Sequence, residues 1–356
     1  MKRVFMAFTL VFLGMAIAFG VCKEAPAQST AEVIKVRFSD HNPPNAWGTV
    51  NGTEPWLKEI EKATNGRVKI ERYYAESLVK GTDVWMALRS GTLDMGWCSH
   101  GYWPGLTPLS DVMALPFLPF KSGRQGGGIL WKLREKYPEL QKEYADVQIL
   151  LMHCTPPFSL ITTKKQVKTM EDLKGLKLRM LGGPPTEAMK ALGAVPLLLG
   201  MPDVYMAMQK GTIDGMGVPL GVLEIFNLYE VIKYWTHVPI TTAYITVAMS
   251  KAKWNSLPPD IQKAIMSVSG YEGSRTYAHN YHDSYEQPVR KEMEEFVKKG
   301  GHKVEEYTLP KAELDRWIKT GGRPVWDSWV NTMEAKGLPA KNVLADVLKL
   351  IESEPE

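Results

Sequence analysis

The chain has 356 residues, 23% of them charged, a formal net charge of +4 and three cysteines. That length is too great for one compact core and suits two lobes, and so slight a basic excess argues against nucleic acid or any other polyanion as partner. With Cys22 in a leader, only Cys98 and Cys154 remain. They are too few for a disulfide framework, although a single bridge between them is left open.

The chain opens with Met1-Lys2-Arg3 and an apolar run from Val4 to Gly20, the charged and hydrophobic regions of a secretory signal. Ala25-Pro26-Ala27 offers the cleavage site, so residues 1–27 read as a signal peptide and the mature protein as a soluble periplasmic one. Val21 stands before Cys22 where lipidation needs a small residue.

From Val33 onward, short β-rich runs alternate with amphipathic helices. Strands are expected at Val33 to Phe38, Arg67 to Tyr73, Asp94 to Cys98, Gln148 to His153, Leu176 to Met180 and Ile245 to Met249, with a helix from Glu54 to Thr64. This is an α/β pattern, and it favours largely parallel sheets with crossover helices. Gly123 to Gly128 reads as a loop before a helix at Ile129 to Tyr137. Beyond Pro258 long helical stretches follow, Pro259 to Lys299 and Lys311 to Met333, with one strand candidate at His302 to Tyr307.

One segment occurs twice. Asp83-Val84-Trp85-Met86-Ala87-Leu88-Arg89-Ser90-Gly91-Thr92-Leu93-Asp94 returns as Asp203-Val204-Tyr205-Met206-Ala207-Met208-Gln209-Lys210-Gly211-Thr212-Ile213-Asp214, with seven of the twelve positions identical. Each copy reads as a helix stopped by a glycine and followed by a strand. A repeat spaced by about a lobe's length implies two similar α/β lobes.

At these residues the chain resembles the solute-binding subunits of tripartite ATP-independent periplasmic (TRAP) transporters, the DctP-type family. Ala63 to Val68, Leu88 to Asp94, Leu115-Pro116-Phe117, Glu171 through Arg179, Leu192-Gly193-Ala194 and Asp203 through Gly215 carry the resemblance over nearly all of the mature chain. It implies a two-lobed periplasmic binding protein fold with crossing hinge strands and a ligand closed between the lobes. Residues 28–156 with about 245–284 would form the first lobe, and 157–244 with about 285–356 the second. It also implies small and large integral-membrane permease subunits as partners, a monomer, no cofactor or metal, and no catalysis.

The family's carboxylate anchor is the arginine that ends Asp172-Leu173-Lys174-Gly175-Leu176-Lys177-Leu178-Arg179, hence Arg179 here. A guanidinium presents a planar fork of donors that matches a carboxylate and stays charged when desolvated. The helix expected near Thr186 would add anion-favouring N–H groups. The second arginine of the sugar-acid binders is missing, its place taken by Pro157-Phe158-Ser159. Polar pocket positions correspond to Ser99 and Tyr102, and a frequent Glu-Asn pair to Gly217-Val218. The expected ligand is therefore a monocarboxylate with a hydrophobic or aromatic body and few hydroxyls. Trp47, Trp97, Tyr102, Phe117, Phe158 and Met201 are candidate walls, with Asn42, Ser99, Ser159, Asp203 and Val218 as further lining and His41 chiefly a loop residue.

Two rival readings remain open. A ligand-sensing subunit would share the same fold and cleft. An exported hydrolase is disfavoured, because His153 and Cys154, adjacent on a strand, point to opposite faces, and His279 and His282 read as a surface pair and not as metal ligands.

Overall fold

The computed structural model describes residues Val33–Glu356; the expected signal peptide, with Cys22, lies outside the described residues. Eleven strands are present among them: β1 (Ile34–Ser39), β2 (Val68–Tyr73), β3 (Met95–Ser99), β4 (Val147–Cys154), β5 (Ser159–Thr162), β6 (Lys177–Arg179), β7 (Val195–Leu197), β8 (Gly215–Val218), β9 (Tyr234–His237), β10 (Tyr244–Ser250) and β11 (Glu305–Thr308). They make two sheets, ordered β2-β1-β3-β10-β4 and β11-β9-β5-β8-β6-β7.

Both sheets are mixed, where largely parallel ones were expected. β10 runs antiparallel to β3 and β4, and β5 runs antiparallel to β8 and β9. The cause is the connection between the lobes. The chain leaves the first sheet from β4 straight into β5 and returns from β9 into β10, and an outgoing and a returning strand side by side are necessarily antiparallel. The two crossing segments are bonded where they pass: Thr155 N–H donates to Ala243 O (2.9 Å), Phe158 N–H to Thr241 O (2.7 Å) and Ile240 N–H to Phe158 O (2.9 Å).

The repeated segment builds the same corner in both lobes. Helix Val84–Ser90 ends at Gly91 with φ 75°, and helix Met201–Gln209 is followed by Gly211 with φ 72°, a left-handed conformation that glycine adopts without a Cβ penalty. Each repeat then ends in an aspartate that ties the next strand to its parallel neighbour. Asp94 accepts from Arg37 N–H (2.9 Å) on β1, and Asp214 accepts from Lys177 N–H (3.0 Å) on β6.

Other local expectations change on packing. The glycines of Gly123 to Gly128 are not a loop: they open the helix Gly123–Lys136, capped by Ser122 Oγ, which accepts from Gln125 N–H at 3.0 Å. Bare backbone lets this helix lie directly on β4; a Cβ on Gly126 would stand 2.7 Å from Cys154 Cβ. The stretch from Pro259 to Lys299 breaks into Pro259–Ser267, Gly270–Ala278, a wide turn His279–Asp283 and Glu286–Lys298. His279 and His282 do not form a surface pair. His282 is buried and its Nε2 lies 2.9 Å from His153 Nδ1, while His279 is exposed. Cys98 and Cys154 are separate buried thiols.

The last two helices, Arg323–Glu334 and Ala340–Ser353, return to the first-sheet side, whereas the sequence placed them with the second. Trp326 and Trp329 donate their indole N–H groups to Pro116 O (2.8 Å) and Pro108 O (2.9 Å), and Glu354 meets Arg275 at 2.6 Å in a buried ion pair. No helix among the described residues is long and apolar enough to cross a membrane.

Candidate functional site

The site begins with a turn. Thr169 and Asp172 cap one another around Met170–Leu173, the chain reverses at Gly175, and β6 then runs between β8 and β7 to end at Arg179. That placement leaves Arg179 only 2% exposed. Its Nε–H donates to Leu199 O at 3.0 Å, while its Nη2 has no hydrogen-bond partner. Burial lowers the guanidinium's affinity for its proton, opposed only by nearby Tyr102. A buried cation with no anion beside it is an expensive arrangement, and a carboxylate relieves it.

Arg179 faces a cavity between the lobes. The first lobe contributes His41 and Asn42 from the loop after β1, Trp97 and Ser99 from β3, and Tyr102 just beyond. The crossing segments add Thr155, Phe158, Ala243 and Ile245; the second lobe adds Leu181, Met201, Pro219, Val222, Ile225 and Phe226. A third passage between the lobes supplies Tyr281, His282 and Tyr285. The lobes touch here: Met201 N–H donates to Tyr102 Oη (3.4 Å), and Gly182 N–H to Gly101 O (3.1 Å).

The electrostatics combine the buried Arg179 guanidinium with a buried carboxyl, Asp40, which burial raises to about 7. Burial, and secondarily Arg179, hold the His41 imidazole down to about 3, so it is neutral. Burial raises the Tyr102 phenol while Arg179 draws it back. Asn42 is fixed by Asp40, whose Oδ1 accepts from both Asn42 N–H (2.9 Å) and Nδ2–H (2.7 Å). Among the described residues no group of three or more His, Cys, Asp or Glu side chains is arranged to hold a metal ion.

Of the twelve residues proposed from sequence, Arg179, Asn42, Trp97, Ser99, Tyr102, Phe158 and Met201 line this cavity. Five do not. Trp47 bridges the lobes instead, donating Nε1–H to Ser284 Oγ (3.0 Å) and its backbone N–H to Glu224 Oε2 (3.4 Å). Phe117 is core, its ring packed over Gly322. Ser159 pairs with Val218 across β5 and β8, Val218 belongs to the second-lobe core, and Asp203 is exposed on its helix. The helix Pro184–Ala191 does not offer its N-terminus to the cavity, because Gly183 there faces the Asp111 carboxyl of the first lobe. Sequence reasoning undervalued His41 and missed Tyr281 and Tyr285, whose i, i+4 spacing on a helical stretch reads as core packing.

Residues 39–332 match the model of the bacterial extracellular solute-binding proteins, family 7 (DctP). The chain belongs to this family. Among relatives of this family 7 protein, a monocarboxylate 2-oxoacid-binding periplasmic protein of Nostoc sp. is 29% identical over 67% of this chain and 66% of its own. A TRAP solute-binding protein from Rhodoferax ferrireducens, solved with copurified benzoate, superposes with a TM-score of 0.82 at 26% identity, covering 90% of this chain and 98% of that one. A marine-metagenome TRAP solute-binding protein, specific for aromatic acid ligands and solved with 3-hydroxybenzoate, gives 0.83 at 27% identity, with 91% and 100% coverage. The family 7 fold, two α/β lobes about a cleft, is therefore that of the present protein.

Proposed function

We propose that this protein captures a small monocarboxylate with an apolar, aromatic body in the periplasm and delivers it to the membrane subunits of a TRAP transporter. The observation that carries the reading is Arg179: a buried guanidinium with an unpartnered nitrogen, set in a wall of Trp97, Phe158, Leu181, Ile225 and Phe226. The carboxylate completes the charge, by charge-assisted hydrogen bonds that strengthen in a dry site. The body displaces water from apolar walls at roughly 25 cal/mol per Å² of apolar surface. The benzoate and 3-hydroxybenzoate in the two solved neighbours support this ligand class.

Closure follows from the crossing strands. Two antiparallel segments joined by backbone hydrogen bonds act as a hinge, and a ligand that contacts both lobes favours the closed arrangement. Isothermal titration with benzoate, an aliphatic monocarboxylate and glucuronate tests the reading. It predicts binding of the first two classes; tight binding of glucuronate alone refutes it.

A further inference from the structure

Arg179 is not the only cavity residue with an unanswered polar atom. Among the lining side chains, His41 Nδ1, Trp97 Nε1, Tyr281 Oη and Tyr285 Oη are also buried and without a partner. His41 lies near enough to Arg179 to feel its charge, whereas the two phenols do not, and an unmet buried polar group counts against any complex that keeps it so.

The two tyrosines stand four residues apart, Tyr281 in the wide turn His279–Asp283 and Tyr285 just before the helix Glu286–Lys298, and their rings are held from opposite sides of the cleft. A Cβ on Gly48, in the first lobe, would lie 2.5 Å from the Tyr281 ring, and one on Gly221, in the second, 2.2 Å from that of Tyr285. Tyr281 also stacks on Trp97, with centroids 6.2 Å apart and planes at 26°. Each ring thus packs directly against glycine backbone, where a side chain would not fit. Burial raises both phenols far above neutrality, so each is an O–H group able to donate and to accept. Arg179 acts on His41 and Tyr102, while the groups that act on Tyr281 are Asp40 and the neighbouring phenols of Tyr277, Tyr285 and Tyr74. Asp40 is itself buried, and its Oδ2 is unpartnered. The cavity thus has a cationic side and a phenolic side backed by a carboxyl.

We propose that Tyr281 and Tyr285 read a second, uncharged oxygen on the ligand, a ring hydroxyl, so that the site selects hydroxylated aromatic acids over their unsubstituted parents. The inference rests on the monocarboxylate reading and narrows it. A hydroxyl both donates and accepts, as the two phenols require. A second carboxylate in the same place would be buried with no cation beside it, next to Asp40, whose own carboxyl is already raised by burial to about 7.

The test measures dissociation constants for benzoate, 3-hydroxybenzoate, 4-hydroxybenzoate and isophthalate on the wild-type protein and on Tyr281→Phe and Tyr285→Phe. One hydroxybenzoate should bind about tenfold tighter than benzoate, with isophthalate weakest, and a Phe variant should bring that ratio toward one. A merely structural role for the tyrosines lowers all affinities together and leaves the ratio standing, which overturns the proposal. Benzoate binding as tightly as both hydroxybenzoates also overturns it, while leaving the monocarboxylate reading intact. A protein that binds none of the four acids loses both.

Discussion

Replacing Arg179 by Met separates what the guanidinium does for the ligand from what it does to the fold. The group is 2% exposed, gives one hydrogen bond to Leu199 O and leaves Nη2 without a protein partner. Methionine keeps much of the volume and removes the buried charge. Against that gain stands the Leu199 carbonyl, which loses its donor at about 1 kcal/mol. Because an unpaired buried ion costs several kcal/mol, the unliganded variant should melt higher than wild type, by about 1–3 °C. The ligand sees the opposite sign. A carboxylate entering the variant is desolvated with nothing to meet it, a loss of about 3–5 kcal/mol, or roughly a hundred- to several-thousandfold in Kd. Calorimetric titration with benzoate, paired with thermal melts with and without ligand, reads both effects. A variant whose affinity stays within about threefold of wild type refutes the anchoring role, and a variant that melts well below wild type refutes the claim that the free site is strained.

Four further outcomes are expected. Glu224 accepts from Trp47 N–H across the cleft, and burial together with nearby Glu292 pushes its carboxyl up to about 7. Opening the cleft returns it toward the usual carboxylate range, so closure takes up a proton. Its contribution to binding is complete below the open-state value and is lost as pH rises through about 7; affinity should fall several-fold between about pH 5 and 8, and Glu224→Gln should flatten that profile. In Trp47→Phe the indole bond to Ser284 disappears, and stopped-flow measurements should show faster ligand release with little change in association, since Trp47 lies outside the cavity. Gly126→Val forces a side chain into Cys154 and should destabilise the protein by about 1–3 kcal/mol or more in urea unfolding. Glu354→Gln breaks the buried pair with Arg275 and should cost about 3–5 kcal/mol, detaching the C-terminal helix before the rest unfolds.

Features that depend on near neighbours in the chain were legible without coordinates. The strand ending at Arg179 follows from a capping turn and a glycine, and the twin corners at Gly91 and Gly211 from helix-stop chemistry that acts within a few residues. The repeat even implied two like lobes, and the matching roles of Asp94 and Asp214 show what that likeness consists of. Arg179 ends β6, Tyr102 follows β3 and Phe158 precedes β5, so each stands at a strand end bordering the cleft, while Trp97 lies within β3.

What sequence left undecided was everything set by the second lobe's position over the first. Trp47 looks like a wall residue from its loop, yet its indole meets Ser284, 237 residues away, and so it fastens the cleft instead of lining it. The glycines of 123–128 have a loop's composition, but they form a helix because β4 passes too close for side chains. Tyr281 and Tyr285 have the spacing of ordinary core aromatics, and only their burial without partners beside Arg179's cavity marks them out. The chain by itself thus determined the two α/β lobes and the buried arginine, which are local matters of capping, periodicity and strand ends. The tertiary structure decided which groups share the cleft with that arginine, because three passages of the chain between the lobes bring together residues that no local pattern relates.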